Sequence, residues 1–156
     1  METGCEPPRI VAGMPMYNEE ETIGTVVTMA LRHVDEVICI DDGSSDSSAR
    51  IAEACGATVI RHRGNQGYGA ALKTLFKTMR SNDADVLVVL DSDGQHDTSD
   101  IPKLIQPILD EEADFTIGSR FIEGGEGNDM PAYRRLGIKV ITAASNLTSD
   151  LGIKDT

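Results

Sequence analysis

Short apolar runs and amphipathic helical stretches alternate along most of this chain. The run Ile10-Val11-Ala12, leading to Pro15, predicts a first strand. Asn18 with Glu21 three residues on is a capping-box variant, and Glu19 and Glu20 suit the positive end of a helix dipole. Ile23, Val26, Val27, Ala30 and Leu31 follow at i, i+3, i+4, i+7 and i+8, so a helix with one buried face is predicted. Val37-Ile38-Cys39-Ile40 reads as a second strand. Asp46 then caps a short helix through Ala54, with Gly56 as its C′ residue. Ala57-Thr58-Val59-Ile60 is a third strand, and after a glycine-rich turn Leu72, Leu75, Phe76 and Met79 mark the next helix. Val86 to Leu90 is apolar without alternation, as in parallel strands covered on both faces. Ile101, Leu104, Ile105, Ile108 and Leu109 line a further helix, bent at Pro107. Phe115-Thr116-Ile117-Gly118 reads as a fifth strand. Residues 121–132 form a glycine-rich, acidic loop, and Tyr133, Leu136, Val140, Ile141, Ala144 and Leu147 give a last amphipathic helix.

This repeated strand–helix alternation predicts an α/β fold with a mostly parallel central sheet and helices on both faces. In such sheets ligands sit outside the carboxyl ends of the strands. The unusual polar residues should therefore cluster there, and they do. The strands end in Pro15-Met16-Tyr17-Asn18-Glu19, in Asp41-Asp42-Gly43-Ser44-Ser45-Asp46, in Asp91-Ser92-Asp93-Gly94-Gln95-His96-Asp97 and in Gly118-Ser119-Arg120. Any one of these is also ordinary turn chemistry; several on one edge point to a site.

Composition narrows the class. The 156 residues carry 26 Asp plus Glu against 14 Lys plus Arg, a formal charge of −12. That excess excludes a nucleic-acid binder, which needs a basic face, and a polybasic lipid anchor. The length suits a single domain over 1–156. No apolar run is long enough to span a membrane, and the first residues lack the pattern of a secretory signal. Three cysteines (Cys5, Cys39, Cys55) without a C-x-x-C pair read as reduced thiols, so a cytoplasmic protein is expected. With 15 Asp and 5 Lys, the acidity also suits adaptation to high salt.

Asp91 and Asp93 carry the sharpest chemical signal. Two carboxylates at i and i+2 past a buried strand repel each other unless a cation lies between them or one is protonated. Hard oxygen ligands favour Mg²⁺ or Mn²⁺, and neither cysteine nor a histidine pair lies near in sequence. The competing reading is an Asp93-Gly94 turn with Asp97 capping the next helix. An EF-hand fails, since Pro102 stands where its closing Glu belongs. His96 reads as a turn residue or a supporting one rather than a ligand. Gly67-Tyr68-Gly69 lacks the third glycine of a dinucleotide fingerprint and reads as a close-approach turn into a helix. Neither a P-loop nor a G-x-S-x-G elbow is present. Tyr17 is either a core aromatic or a wall for a base or ribose. Arg120 is either an ion-pair partner or a phosphate contact. Arg134 and Arg135 open the last helix, where cations oppose the dipole, which suits an anionic partner or a solvated surface.

Taken in order, Pro15-Met16-Tyr17-Asn18-Glu19-Glu20, Asp41-Asp42-Gly43-Ser44-Ser45-Asp46, Asn65-Gln66-Gly67-Tyr68-Gly69, Asp91-Ser92-Asp93-Gly94-Gln95-His96 and Gly118-Ser119-Arg120 resemble the family 2 glycosyltransferases, nearest the dolichyl- and polyprenyl-phosphate sugar synthases. The resemblance implies the Rossmann-like GT-A fold and transfer, with inversion, of a sugar from a nucleotide-diphosphate donor of the GDP-mannose or UDP-glucose type to a polyprenyl or dolichyl phosphate. It implies that Pro15, Tyr17, Glu19, Ile40 and Asp42 hold the nucleoside, with Asp42 on the base. Asp91, Ser92 and Asp93 would hold the diphosphate, with Asp91, Asp93 and Gln95 on an Mg²⁺ or Mn²⁺ ion that gives the two aspartates their catalytic role. Arg120 would contact the donor, and Arg134 and Arg135 the acceptor phosphate at the cytoplasmic face of a membrane. The family pattern runs on past Asp155-Thr156, so a chain cut short on its acceptor side is expected. The alternatives are a family relative that transfers to a hydroxyl in a glycan or cell-wall polymer, and a donor-binding fragment without turnover. A sugar-nucleotide pyrophosphorylase would open with a glycine-rich, arginine-bearing loop after the first strand, where Pro15-Met16-Tyr17-Asn18 stands instead.

Overall fold

A computed structural model describes residues 7–118; Ser119, Arg120, the 121–132 loop, and the helix expected around Arg134 and Arg135 lie outside the described residues. The element order is β1 (Ile10–Met16), α1 (Ile23–Ala30), β2 (Glu36–Asp41), α2 (Ser48–Ala54), β3 (Thr58–Arg61), α3 (Tyr68–Met79), β4 (Val86–Val89), a 3₁₀ turn (Thr98–Asp100) and α4 (Ile101–Leu109). The four strands form one sheet in the order β3-β2-β1-β4, every pair parallel.

Alternation along the strands sorts the core into two layers. Ala12, Met14 and Met16 of β1, Val37 and Cys39 of β2, and Val86 and Val88 of β4 pack with Ile23, Val26, Val27 and Ala30 of α1, Ala49 and Ala52 of α2, and Ile101 and Ile105 of α4. The intervening residues Val11, Ile38 and Ile40 face the other way and meet Ala71 and Leu75 of α3. The chain builds outward from β1 to β2 and β3 with its helices on one face, then returns past β1 by α3 on the opposite face. A change of face is what crossovers of one hand require when the direction of strand addition reverses. Burial in this apolar layer beside Asp41 pushes the Cys39 thiol up to about 12, so it stays protonated as a packing group.

Pro15 lies inside β1, not at its end, opposite Ile40 of β2. Its carbonyl accepts a hydrogen bond from the Ser92 hydroxyl at 2.9 Å, so its missing N–H falls on the β4 side. There the ladder has already closed, with Gly13 as the last paired residue of β1, and proline is tolerated.

Several local expectations change in three dimensions. α1 starts at Ile23 behind Thr22, and Asn18 is not its cap. Asn18 instead takes the left-handed region (φ 55) and turns its side chain to the β2–α2 loop. Asp46 does bond the Ser48 N–H at 2.9 Å, from one position before the N-cap Ser47. Gly56 closes α2 at φ 99: its N–H reaches Glu53 O, and that of Ala57 reaches Ala52 O, a Schellman pairing. β4 is not covered on both faces among the described residues, because Val86 and Val88 are buried while Val89 is 38% exposed. α4 continues through Pro107. Phe115–Gly118 forms no strand. A strand needs a neighbouring ladder, and among the described residues none pairs with this segment; Thr116 instead donates to Leu104 O at 2.8 Å.

Gly13 lets α3 approach the sheet, since a Cβ there would overlap the δ-carbons of Leu75, itself fully buried. Gly13→Ala should cost about 1–3 kcal/mol by overpacking. In a Leu75→Ala background, itself costing about 2–5 kcal/mol, the same change should cost almost nothing. Urea denaturation of the four proteins reads this coupling, and simple additivity would contradict it.

Candidate functional site

At the carboxyl edge of the sheet a cavity of about 320 Å³ is lined by Pro15, Met16, Tyr17, Glu19, Asp42, Asn65, Gly67, Tyr68, Ala71, Asp91, Ser92 and Asp93. It lies where the strand order reverses, across the ends of β2, β1 and β4. The loops that form it are tied to one another. Asn18 N–H donates to Ser44 Oγ at 2.9 Å, and Glu19 N–H to Ser48 Oγ at 2.7 Å. In return, Ser45 N–H donates to Asn18 Oδ1 and Ser47 N–H to Glu20 Oε2, both at 2.9 Å. On the β4 side the Thr22 hydroxyl donates to Ser92 O at 2.8 Å, and the Ser92 hydroxyl is held on Pro15 O.

Asp41 and Asp42 show how a pair of adjacent acids divides its work. The Asp41 carboxylate is fully buried and takes Arg61 Nε at 2.8 Å and Ser44 N–H at 2.9 Å. Asp42 lines the cavity. Its Oδ1 lies 2.7 Å from His62 Nδ1, and its carboxylate accepts the N–H groups of Gln66 (3.0 Å to Oδ1) and Gly67 (2.7 Å to Oδ2). A carboxylate offers about four lone-pair directions, so at most one remains for a ligand. The β3–α3 loop is thereby drawn against Gly43, where φ is 78 and a Cβ would meet Gly64 Cα at 2.6 Å. Burial raises the Asp42 carboxyl, but the bonds from His62, Gln66 and Gly67 and the charge of the His62 ring outweigh it and hold the group below its ordinary 3.8. The same contest, won by Ser48 and the Glu20 N–H, lowers Asp46.

Opposite, the Tyr68 hydroxyl lies 3.2 Å from Asp91 Oδ1. Burial first, then the charge of Asp91 and this bond, raise the Tyr68 phenol above its ordinary 10, so it remains a donor. The Asp91 N–H donates to His96 Nδ1 at 3.3 Å, consistent with a turn role for that ring. Asp93 Oδ1 accepts the Gln95 N–H at 2.9 Å, and Gly94 between them has φ 76. Asp97 caps the following 3₁₀ turn through Ser99 N–H at 2.8 Å.

The cavity brings together Pro15, Tyr17, Glu19, Asp42, Asp91, Ser92 and Asp93. Ile40 is not in it: the alternation of β2 points this residue into the α3 layer, where it is fully buried. Gln95 is exposed and does not line it, while Arg120, Arg134 and Arg135 lie outside the described residues. Asn65, Gly67 and Tyr68 join the lining although single-residue reasoning read this stretch only as a turn. The signal was the Asn65-Gln66-Gly67-Tyr68-Gly69 motif itself. Among the described residues no three His, Cys, Asp or Glu side chains converge as a metal cage. Two carboxylates beside an open cavity nonetheless fit an ion of the magnesium type, which binds through one or two carboxylates and takes its remaining oxygens from substrate or water.

A parallel sheet with flanking helices and a carboxyl-edge site across the strand reversal is a doubly wound α/β fold, and the matches to family and solved structures place it in the GT-A class. Residues 12–153 match the model of glycosyl transferase family 2, and the chain belongs to that family. It is 33% identical over 142 residues to the UDP-N-acetylglucosamine–dolichyl-phosphate N-acetylglucosaminyltransferase of Methanococcus voltae, covering 80% of this chain and 57% of that one. It is 34% identical over 131 residues to the dolichol-phosphate mannosyltransferase of Pyrococcus furiosus, covering 79% and 36%. Among solved structures, glucosyl-3-phosphoglycerate synthase from Mycobacterium tuberculosis, in complex with Mn²⁺, UDP and glucosyl-3-phosphoglycerate, superposes with a TM-score of 0.56 at 30% identity, over 65% of this chain and 40% of that one. The chain thus spans roughly half or less of the length of these relatives.

The depressed carboxyl of Asp42 has a pH signature. Its folded pKa lies below its unfolded value, so its stabilisation is complete above about pH 4 and is lost as pH falls through the folded value. Asp42→Asn should be less stable at pH 6 and should lose less on acidification to pH 3 than the parent. Urea midpoints at the two pH values measure this; equal losses would contradict it.

Proposed function

We propose that this chain carries the donor-binding half of an inverting glycosyltransferase, which moves a hexose from a nucleotide-diphosphate sugar of the GDP-mannose or UDP-glucose type to a polyprenyl or dolichyl phosphate. The observation that carries this reading is the cavity itself, with Asp42 at the end of β2, Pro15, Tyr17 and Glu19 at the end of β1, and Asp91 and Asp93 at the end of β4. Two strand spacings, roughly 10 Å, separate the outer ends of that row, a span that accommodates a nucleoside at one end and its diphosphate at the other. Tyr17, 46% exposed at the rim, offers a flat face to a base or ribose.

Asp91 and Asp93 would hold an Mg²⁺ or Mn²⁺ ion with the donor diphosphate, with Gln95 as a further ligand. Such an ion supplies Lewis-acid stabilisation of the charge that develops on the leaving diphosphate, worth several kcal/mol. Tyr68 orients Asp91 by its hydrogen bond, and Ser92, tethered to Pro15, fixes the spacing of the two carboxylates. A phosphate acceptor is anionic at neutral pH and needs no general base, whereas a hydroxyl acceptor needs one within hydrogen-bond reach. Arg120 is proposed to contact the donor, and Arg134 and Arg135 the acceptor phosphate. Relatives named for dolichyl-phosphate transfer favour the lipid acceptor. The lipid phosphate is proposed to be met at the cytoplasmic membrane surface; among the described residues no helix is long and apolar enough to cross a membrane. A second reading, transfer to a hydroxyl, is favoured by the similarity to glucosyl-3-phosphoglycerate synthase.

Calorimetric titration with UDP- and GDP-sugars, with and without Mn²⁺, tests the donor site. At least one donor should bind in a metal-dependent way, and Asp93→Ala should weaken that binding tenfold or more, about 1.4 kcal/mol. Absence of binding by every donor, or indifference to Asp93→Ala, would contradict the reading.

A further inference from the structure

We propose that His62 is a positioning residue for the nucleoside end of the donor site, acting through Asp42 on the Asn65–Gly67 turn. The proposal rests on the donor reading above. His62 follows β3 directly, and its own N–H is fixed on Asp41 O at 2.8 Å. The ring does not line the cavity; its side chain is 10% exposed and both nitrogens are engaged, Nδ1 with Asp42 at 2.7 Å and Nε2 with Thr74 Oγ1 at 2.8 Å.

The chemistry of the two partners settles what each nitrogen does. Asp42, held ionised, only accepts, so Nδ1 carries a hydrogen. A threonine hydroxyl both donates and accepts, so Thr74 satisfies Nε2 whether the ring is neutral or charged. The ring therefore keeps its orientation in both states and always presents an N–H to Asp42.

That bond acts at the cavity through the β3–α3 loop. Asp42 grips the start of the β3–α3 loop through His62 and its end through Gln66 and Gly67. The loop is pinned shut, and Asn65 and Gly67 are set as walls. The ring's other bond goes to Thr74 inside α3, about 9 Å along the axis from Tyr68 and beyond the first turn that contributes Tyr68 and Ala71 to the cavity. Without His62, the buried carboxylate loses a partner on the cavity's nucleoside side. Asp91 and Asp93, reached from β4, keep their own supports at Tyr68, His96 and Gln95.

This division predicts a selective defect. UDP, GDP and inorganic pyrophosphate, each with Mn²⁺, would be titrated into the full chain and its variants. His62→Leu should weaken the bound nucleoside diphosphate tenfold or more while leaving pyrophosphate within about twofold. His62→Asn, which returns an amide N–H close to the place of Nδ1, should recover most of the loss. If His62→Leu does not fold, His62→Gln serves: its amide reaches toward Thr74 but not Asp42, and it should show the same selective loss. Equal weakening of nucleotide and pyrophosphate would mark a merely structural histidine and overturn the proposal. So would nucleotide affinity unchanged in a folded Leu or Gln variant, or failure of Asn to recover it. Failure of the unaltered chain to bind either nucleotide would instead overturn the donor reading.

Discussion

β1 is paired on both sides, and the chain reaches its two neighbours by opposite routes. It leaves β1 through α1 to build β2 and β3 on one flank, then comes back through α3 on the other face to lay β4 on the second flank. The carboxyl ends of β2, β1 and β4 therefore stand side by side while their loops depart to different places, and a crevice opens above them. Every cavity-lining residue but one belongs to the end of a strand or to the β3–α3 turn and first residue of α3. Ala71 is that exception, and it sits one turn into α3.

A crevice bounded by loops is a site only if the loops hold still. Here the fixing bonds run between loops: Asn18 with Ser44 and Ser45, Glu19 with Ser48, Thr22 and Pro15 with Ser92, Asp42 with Gln66 and Gly67. Most join a side chain to a backbone group of another loop, so each satisfies a polar group that strand pairing leaves open. No buried side-chain nitrogen or oxygen among the described residues is without a partner. The acidity of this edge is consistent with the same pattern. Asp41 and Asp46 are engaged as hydrogen-bond acceptors within the protein and Asp42 largely so, while Asp91 and Asp93 line the β4 end of the cavity.

The interiors of the elements were legible in sequence because burial imposes a period. The i, i+3, i+4 pattern from Ile23 and the apolar run from Val86 placed α1 and β4 to within a residue or two of their observed bounds. What failed was decided by contacts distant in sequence. Asn18 satisfies every local rule for a helix cap, yet Ser45, 27 residues away, is the stronger partner. Phe115–Gly118 has strand composition, yet no strand among the described residues pairs with it. At the site, the topological rule singled out the strand-end segments from Pro15, Asp41 and Asp91 onward, and the family resemblance chose Pro15, Tyr17, Glu19, Asp42 and Ser92 within them. Ile40 was drawn from family resemblance, but the alternation of β2 seats it in the core. The role of His62 was not legible, because nothing local marks a histidine whose partners lie 20 residues before it and 12 after.

The most direct test of the site is a crystal structure of the protein with UDP and Mn²⁺, the ion located by its anomalous scattering. The predicted result is an anomalous peak at the Asp91 and Asp93 carboxylates, with the diphosphate beside it and the uridine lying across β1 toward Tyr17 and Asp42. A nucleotide bound away from this edge of the sheet, or one with its base at Asp91 and its phosphates at Asp42, would contradict the assignment.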